Sequence, residues 1–113
     1  MTNQHYWETI NTDSKEGFDI VFSVTWEDMS PADHFESDDL PALIADIESG
    51  NLQWFVARVQ AFKNGIELSS DYLGGCCYKS YSDFVDEADY YGDMVQTVIS
   101  EAKQTIKALT EFV

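Results

Sequence analysis

Basic residues are scarce in this sequence. It contains six Lys and Arg against 21 Asp and Glu, which gives a formal net charge of −15 and a pI near 4.1. Binding to a phosphate backbone normally needs clustered Lys and Arg, so the composition argues against direct nucleic-acid binding. Anionic membrane surfaces are disfavoured for the same reason. The charge favours a basic protein or nucleoprotein complex as the partner, because electrostatic steering accelerates such encounters.

Long apolar runs are also missing, and the first ten residues, MTNQHYWETI, have neither the basic nor the apolar segment of a secretory leader. We therefore expect a cytoplasmic protein. The chain has 113 residues, of which 44% are hydrophobic and 14% aromatic. This composition is too apolar for a disordered acidic chain, so it predicts a single folded domain over residues 1–113.

Motifs for metals, cofactors and catalysis are absent. The two histidines, His5 and His34, form no HxxxH pattern, and the acidic stretch 27–39 lacks the central glycine of a calcium loop. Cys76 and Cys77 are adjacent, so in a strand their side chains point to opposite faces and no disulfide is expected between them. A nucleophilic thiol needs a lowered pKa, which acidic and apolar surroundings oppose. We expect neither a cofactor nor an enzyme.

One strand and one helix are predicted in the first half of the chain. Large apolar residues alternate with smaller or polar ones from Phe18 to Trp26, which is typical of a strand with one buried face. An apolar stripe at helical spacing follows over residues 40–47. Asp38 or Asp39 is placed to cap this helix and Gly50 to end it. Residues 1–16 are polar and predict no regular structure.

A hairpin is predicted around Asn64-Gly65, the strongest two-residue turn signal in the chain. The flanking strands cover residues 52–62 and 66–78. Such a short turn imposes a register that places Ala61 opposite Leu68 and Arg58 opposite Asp71.

A helical region follows, with Ser80 or Ser82 as its cap and Gly92 as a point where it kinks or breaks. The order of elements is thus strand, helix, hairpin, helix. This order predicts an α+β fold with a three-stranded antiparallel sheet and helices packed on one face.

Acidic residues are concentrated in two sets, at residues 27–39 and 83–93. The net charge far exceeds the magnitude of about 2 to 8 that keeps a small domain soluble, so we expect these sets to bind a partner. Tyr90 and Tyr91 are candidate aromatic anchors, since tyrosine supplies a large contact area with a polar end. The candidate partner-binding residues are Asp33, Glu36, Asp38, Asp39, Asp83, Asp86, Glu87, Asp89, Tyr90, Tyr91 and Asp93.

The chain resembles the small acidic inhibitors that phages and plasmids encode, in the antirestriction and anti-CRISPR class. The resemblance is carried by the short acidic domain, by tyrosines among the acids (DFVDEADYYGDM, residues 83–94) and by the lack of catalytic motifs. It implies a non-enzymatic inhibitor that blocks a host nucleic-acid-binding complex. Two modes are open: the acids mimic DNA, or the protein wedges against a basic groove.

Two other functions stay open. The first is an assembly module, such as a homodimer formed through the solvent face of the sheet, with Trp54, Val56 and Leu73 on that face. In that case the acidity serves only solubility. The second is a small enzyme, which would require a deep pocket that contains Cys77 or His34 and convergent polar groups.

Overall fold

Four antiparallel strands form one sheet, in the order β1-β2-β3-β4. The computed structural model describes residues 6–35, 38–87 and 89–111, with the side chain of Glu87 left out. The strands are β1 (Glu8–Lys15), β2 (Phe18–Trp26), β3 (Gln53–Lys63) and β4 (Ile66–Tyr78). The helices are α1 (Pro31–His34), α2 (Leu40–Ser49), α3 (Tyr81–Glu87) and α4 (Asp89–Thr110). The α+β class was predicted, but the three-stranded sheet was wrong because β1 adds a fourth strand.

Strand β1 was not predicted because it is a polar edge strand. Most of its side chains are exposed, and only Ile10 packs against the core. A strand with neither face buried shows no apolar alternation. Glu16 and Gly17 join β1 to β2 with φ angles of 53° and 87°. A two-residue turn with both φ angles positive is the standard connection of a hairpin, so the Gly17 position was the available signal.

The predicted β3–β4 hairpin is present, but its register differs from the expected one. Asn64 and Gly65 form the turn with φ angles of 55° and 77°. The two pairs next to the turn match the prediction, and then Leu68 is an extra residue that shifts every later pair. Arg58 therefore pairs with Tyr72, and the expected Arg58–Asp71 pair was wrong. A bulge of this kind cannot be deduced from the turn alone.

A second bulge lies at Gly74-Gly75. Phe55 pairs with Cys76 while Ala57 pairs with Leu73, so two glycines oppose a single residue of β3. Leu73, which precedes this bulge, shares the face of Ala57 and packs against the core, because the bulge at Leu68 has already shifted its register by one residue. The expectation that Leu73 lies on the solvent face was wrong for this reason.

The core lies between one face of the sheet and helices α3 and α4. Alternate residues of β2 and β3 supply the sheet side, and Phe84 and Val98 are fully buried from the helix side. Ser69 Oγ of β4 donates a hydrogen bond to the Val98 carbonyl oxygen at 2.5 Å, which anchors α4 on the sheet. Each large apolar side chain buried here stabilises the fold by about 1.5–3 kcal/mol. The buried apolar residues are Phe18, Ile20, Phe22, Val24, Phe55, Ala57, Val59, Ala61, Cys76, Phe84, Met94, Val95, Val98, Ile99 and Ala102.

Most predicted helix boundaries are confirmed. Asp39 is the N-cap residue of α2, and Gly50 ends that helix in the left-handed conformation with φ of 86°. Ser80 Oγ accepts a hydrogen bond from the Asp83 amide at 3.1 Å, so Ser80 is the cap. The expected helix break at Gly92 was wrong, because Gly92 lies inside α4.

The opposite face of the sheet carries the only arginine of the chain. The Arg58 guanidinium lies 4.2 Å from the centre of the Trp7 ring, and Trp7 meets Tyr72 edge-on at 5.9 Å. Ser23, the β2 partner of Arg58, is buried on this face. Neither α3 nor α4 covers this face, because both pack on the core side. The molecule is accordingly flat, with extents of 57 × 36 × 22 Å.

Candidate partner-binding site

The segment after β2 runs across β3 and reaches β4. Glu27 Oε1 accepts a hydrogen bond from the Gly75 amide at 2.7 Å, and its Oε2 accepts one from the Met29 amide at 3.2 Å. The indole Nε1 of Trp54 donates to the Met29 carbonyl oxygen at 2.9 Å. These bonds satisfy the amide that the glycine bulge releases from the β-ladder. They also hold α1 beside β4.

The Gly74-Gly75 bulge leaves room for this segment. A Cβ atom on Gly74 would lie 2.9 Å from Glu27 Oε1, and one on Gly75 would lie 2.6 Å from His34 Cε1. Gly75 also has a positive φ of 68°, which favours glycine. The His34 ring packs against Phe35 and Trp54, with ring centres 4.7 and 5.6 Å apart. Both glycines are therefore explained by the close approach of Glu27 and His34.

A cleft of about 320 Å³ lies along the last residues of β4. His34 and Phe35 of the α1 segment form one wall, and Tyr90 of α4 forms another. Its floor comes from both faces of the strand, because Cys76 and Cys77 both line it. The cleft therefore lies at the edge of the sheet. The remaining lining residues are Leu73, Gly74, Gly75 and Tyr78.

The first acidic set lies close in the chain to the cleft residues His34 and Phe35. Asp33 is exposed in α1 and directly precedes His34, while Asp38 and Asp39 are exposed just before α2. Glu36 lies outside the described residues. Asp33 is thus the one described member of the set that is adjacent in the chain to a residue lining the cleft.

The second acidic set is divided between two places. Asp89 is exposed at the start of α4, directly before the cleft residue Tyr90, and Asp93 is exposed one turn later. Asp86 of α3 instead lies beside Ile10 of β1, and Asp83 is partly buried at the start of α3. The side chain of Glu87 lies outside the described residues. Asp89 is therefore the one described member of the set that is adjacent in the chain to a residue lining the cleft.

The two candidate tyrosine anchors differ in exposure. Tyr90 is 58% exposed and lines the cleft, which leaves its ring available to a partner. Tyr91 packs on the core, where its ring meets Phe22 edge-on at 5.5 Å and Phe84 at 6.2 Å. Burial raises the pKa of Tyr91, and a hydrogen bond with Asn11 opposes that rise. Tyr90 is therefore the stronger candidate anchor, because Tyr91 packs in the core.

Two carboxylates of β1 extend the acidic surface beside the helices. Burial raises the pKa of both Tyr91 and Tyr81. The negative charge of Asp13 raises the pKa of Tyr91 further, and that of Glu8 does the same for Tyr81. Sequence reasoning missed these acids because β1 was not predicted. The hairpin turn at Gly17 was the only signal that could have placed them next to α3 and α4.

Several basic residues lie together at the opposite end of the sheet, around the β1–β2 turn. Lys103 Nζ forms an ion pair with Glu16 Oε1 at 2.6 Å, and the contact with Lys103 lowers the pKa of the Glu16 carboxyl. Lys63 Nζ donates to the Gly17 carbonyl oxygen at 3.4 Å. Lys15 ends β1 at the same turn. These positive charges thus lie at the far end of the strands from the cleft.

Both thiols are poorly suited to nucleophilic chemistry. Cys76 is 3% exposed, and burial raises its pKa to about 12. Burial also raises the pKa of Cys77, which is partly exposed in the cleft. Since the thiolate is the reactive form, both groups are protonated and slow at neutral pH. The cleft does contain Cys77 and His34, either of which the enzyme alternative called for, but burial works against activation of the thiol.

We predict a strong difference in reactivity between the two thiols. In the folded protein at neutral pH, a thiol reagent should modify Cys77 slowly and leave Cys76 untouched. The Cys77 rate should rise about tenfold per pH unit and keep rising above the ordinary thiol pKa of about 8.5, because its pKa is raised. Mass spectrometry with a Cys77→Ser control tests this. Equal, fast labelling of both thiols would contradict it.

The comparisons with known proteins identify no relative. Among the described residues, no group of three or more His, Cys, Asp or Glu side chains is placed to hold a metal ion. No helix in the described part of the chain is long and apolar enough to cross a membrane. No family model, no curated protein and no solved structure matches this chain.

Proposed function

We propose that the protein is a non-enzymatic inhibitor that binds a basic, nucleic-acid-binding surface of a host defence or DNA-handling complex. Its carboxylates would take the place of nucleic-acid phosphates on that surface. The observation that carries this proposal is the net charge of −15 on a folded domain of 113 residues. A charge of this size attracts basic surfaces and repels other acidic chains.

The arrangement of the acids supports the proposal. Asp33 and Asp89 come from distant parts of the sequence, and each is exposed directly before a residue that lines the cleft, His34 and Tyr90 respectively. The exposed ring of Tyr90 lines the cleft and offers an apolar contact. Aromatic side chains inside a charged surface are the usual source of binding energy in protein interfaces. The opposite end of the sheet carries Lys15, Lys63 and Lys103, so the charge also has a direction that orients an approaching basic partner.

Affinity capture from a bacterial lysate at low and at moderate salt is the direct test of the proposal. Bound proteins are identified by mass, and duplex DNA is then added as a competitor. We expect a basic nucleic-acid-binding complex that elutes with salt and is displaced by DNA. A captured complex that DNA does not displace would contradict binding to the nucleic-acid site. Recovery of the protein alone would contradict the inhibitor function.

Reversing the charge of the exposed second-set acids should weaken binding to the captured target. In the variant with Asp86→Lys, Asp89→Lys and Asp93→Lys, each reversal adds two units, which takes the net charge from −15 to −9. We expect at least about a tenfold loss of affinity and a smaller salt dependence, because close charge pairs across the interface are lost. Binding titrations at several salt concentrations measure both quantities.

The matched control has the same net charge with the substitutions elsewhere. Glu48→Lys, Glu101→Lys and Glu111→Lys change exposed residues of α2 and of the second half of α4 and the turn after it. If binding depends on the positions of the acids and not only on their number, this control variant should keep nearly the full affinity. Equal losses in both variants would mean that net charge alone governs binding. Circular dichroism of each variant establishes that the fold is retained.

An assembly module is the second candidate, favoured by the face of the sheet that α3 and α4 do not cover. Tyr72 is 55% exposed on that face, and Val21, Val56 and Phe62 are each partly exposed there. A homodimer through this face would bury them. Analytical ultracentrifugation at low and high salt separates the two functions: a dimer that persists at both salt concentrations favours assembly, and a monomer favours the inhibitor.

A further inference from the structure

The outer edge of β4 is a second feature of the cleft. β4 is the last strand in the sheet, and no strand among the described residues pairs with its outer side. At 13 residues it is longer than the other edge strand, β1, which has eight. An uncovered edge strand presents backbone N–H and C=O groups that can pair with another chain. Proteins often protect such edges with charged residues or bulges. The stretch from Leu73 to Tyr78 has no charged residue. Beyond its bulge at Gly74-Gly75, where Glu27 binds the Gly75 amide, Cys76 to Tyr78 form a regular edge.

The cleft follows this uncharged part of the edge. His34 and Phe35 rise on one side of the strand and Tyr90 on the other, so an extended segment laid along β4 would run between aromatic walls. Alternate side chains of such a segment would point to opposite faces of the sheet. One half would meet the imidazole and phenyl rings, and the other half would meet Tyr90 and Tyr78. This is the geometry by which peptides add a strand to a sheet edge.

The negative charge of the protein distinguishes between the possible occupants of the cleft. Pairing two copies of this chain edge to edge would bring two bodies of net charge −15 together, which is opposed by strong repulsion. A basic segment would instead be attracted by the net charge and by the exposed Asp33 and Asp89, which directly precede the cleft residues His34 and Tyr90. Lys79, which follows Tyr78, is the only basic residue between positions 64 and 102. The occupant that fits both the backbone edge and the charge is an extended basic peptide.

We infer that an extended, lysine- or arginine-rich segment of the partner protein adds to the β4 edge between His34 and Tyr90. The inference rests on the proposed function for the sign of the partner's charge, and it adds the mode of recognition. Backbone pairing with β4 supplies the alignment, the aromatic walls hold the side-chain stems, and the exposed carboxylates that precede His34 and Tyr90 attract the cationic ends. Lys and Arg suit this role because their long stems pack on apolar surface while the charge stays in solvent.

Two synthetic peptides test the inference on the full-length protein. The first alternates lysine and valine over the length of a strand; the second alternates lysine and proline, with the same charge but no amide donor at the proline positions. We expect the valine peptide to bind about tenfold more tightly, since it alone makes all the backbone bonds. Backbone amide NMR should show the valine peptide shifting residues 73–78 and slowing their hydrogen exchange.

Variants and the alternative outcomes complete the test. Tyr90→Ala should weaken valine-peptide binding several-fold, Tyr90→Phe should retain it, and Leu109→Ala, an exposed α4 residue remote from the cleft, should have no effect. Equal affinity of the two peptides, with shifts spread over all acids, would overturn strand addition while leaving the proposed inhibitor function intact. If the amides of residues 73–78 were protected from exchange without peptide and the protein had a dimeric mass, a second copy of the chain would be the occupant, and the inference would be overturned. Strand addition by the peptide, together with failure to capture a nucleic-acid-binding target, would instead contradict the proposed function.

Discussion

Replacing Phe22 with alanine should destabilise the protein by about 3–5 kcal/mol, a large share of the 5–15 kcal/mol that small domains possess. Phe22 is fully buried in β2. Its ring stacks on Phe84 of α3 with centres 5.4 Å apart and meets Tyr91 of α4 at 5.5 Å. The substitution therefore empties the place where the sheet joins both helices. Urea unfolding followed by circular dichroism measures the loss.

Leu109→Ala is the matched control for this prediction. Leu109 is 60% exposed near the end of α4, so its truncation should change the free energy of unfolding by no more than about 0.5 kcal/mol. A loss below about 1 kcal/mol for Phe22→Ala would contradict the assignment of the core, because cavity formation at a filled site costs more than that. A loss of similar size in both variants would indicate a loosely packed helix layer.

Two Gly→Ala substitutions should change stability in opposite directions. Gly75→Ala forces alanine into a left-handed conformation and should cost about 1–2 kcal/mol, in addition to displacing the His34 ring. Gly92→Ala adds a methyl group in open space on α4 and should stabilise the protein by about 0.5–1 kcal/mol. Thermal unfolding of the two variants measures the difference. A neutral Gly75→Ala variant would contradict the bulge.

A double substitution separates backbone strain from the contact with His34. His34→Ala removes the ring that lies 2.6 Å from the position of an added Cβ. If the steric contact contributes, Gly75→Ala should cost less in the His34→Ala background than in the natural one. The remainder is the conformational cost, which the ring does not affect. An identical cost in both backgrounds would show that His34 moves aside freely.

These glycines also bear on the candidate site. Gly75 donates its amide to Glu27 and accommodates His34, so it positions the wall of the cleft. The basic peptide should accordingly bind less well to Gly75→Ala than to Gly92→Ala. The unfolding and binding measurements on these two variants would then test the same arrangement around Gly75 independently.

Local patterns predicted much of the fold. The alternation from Phe18 to Trp26 matches β2 in both bounds, and Asn64-Gly65 forms the turn that its φ preferences demand. Gly50 and Ser80 bound their helices as expected. These features succeed because each depends on interactions within a few residues. They do not depend on contacts with distant parts of the chain.

Only a few of the residues at or next to the cleft were named from the sequence. Tyr90, which lines the cleft, and Asp33 and Asp89, which directly precede lining residues, were named from local clusters of acids and tyrosines, and their part in binding stays a prediction. Glu27, His34 and Gly75 were not expected to form a wall, since their contact joins residues 48 and 41 positions apart in the chain. No short pattern encodes such a contact. Tyr91 looked equivalent to Tyr90, and only packing against Phe22 and Phe84 separated the two.

The amino-acid sequence by itself determined the charge, the α+β class, the β2 strand, the β3–β4 turn and the helix caps, because composition and short-range backbone preferences govern them. The tertiary structure decided the rest. Strand β1 is stabilised by pairing with β2 and not by its own apolar pattern, and the bulges at Leu68 and Gly74-Gly75 set which face each β4 residue occupies. The cleft at the β4 edge exists because the bulge lets Glu27 and His34 approach the strand. Such long-range contacts stabilise a structure only when both partners are already in place, which is why the sequence pattern does not reveal them.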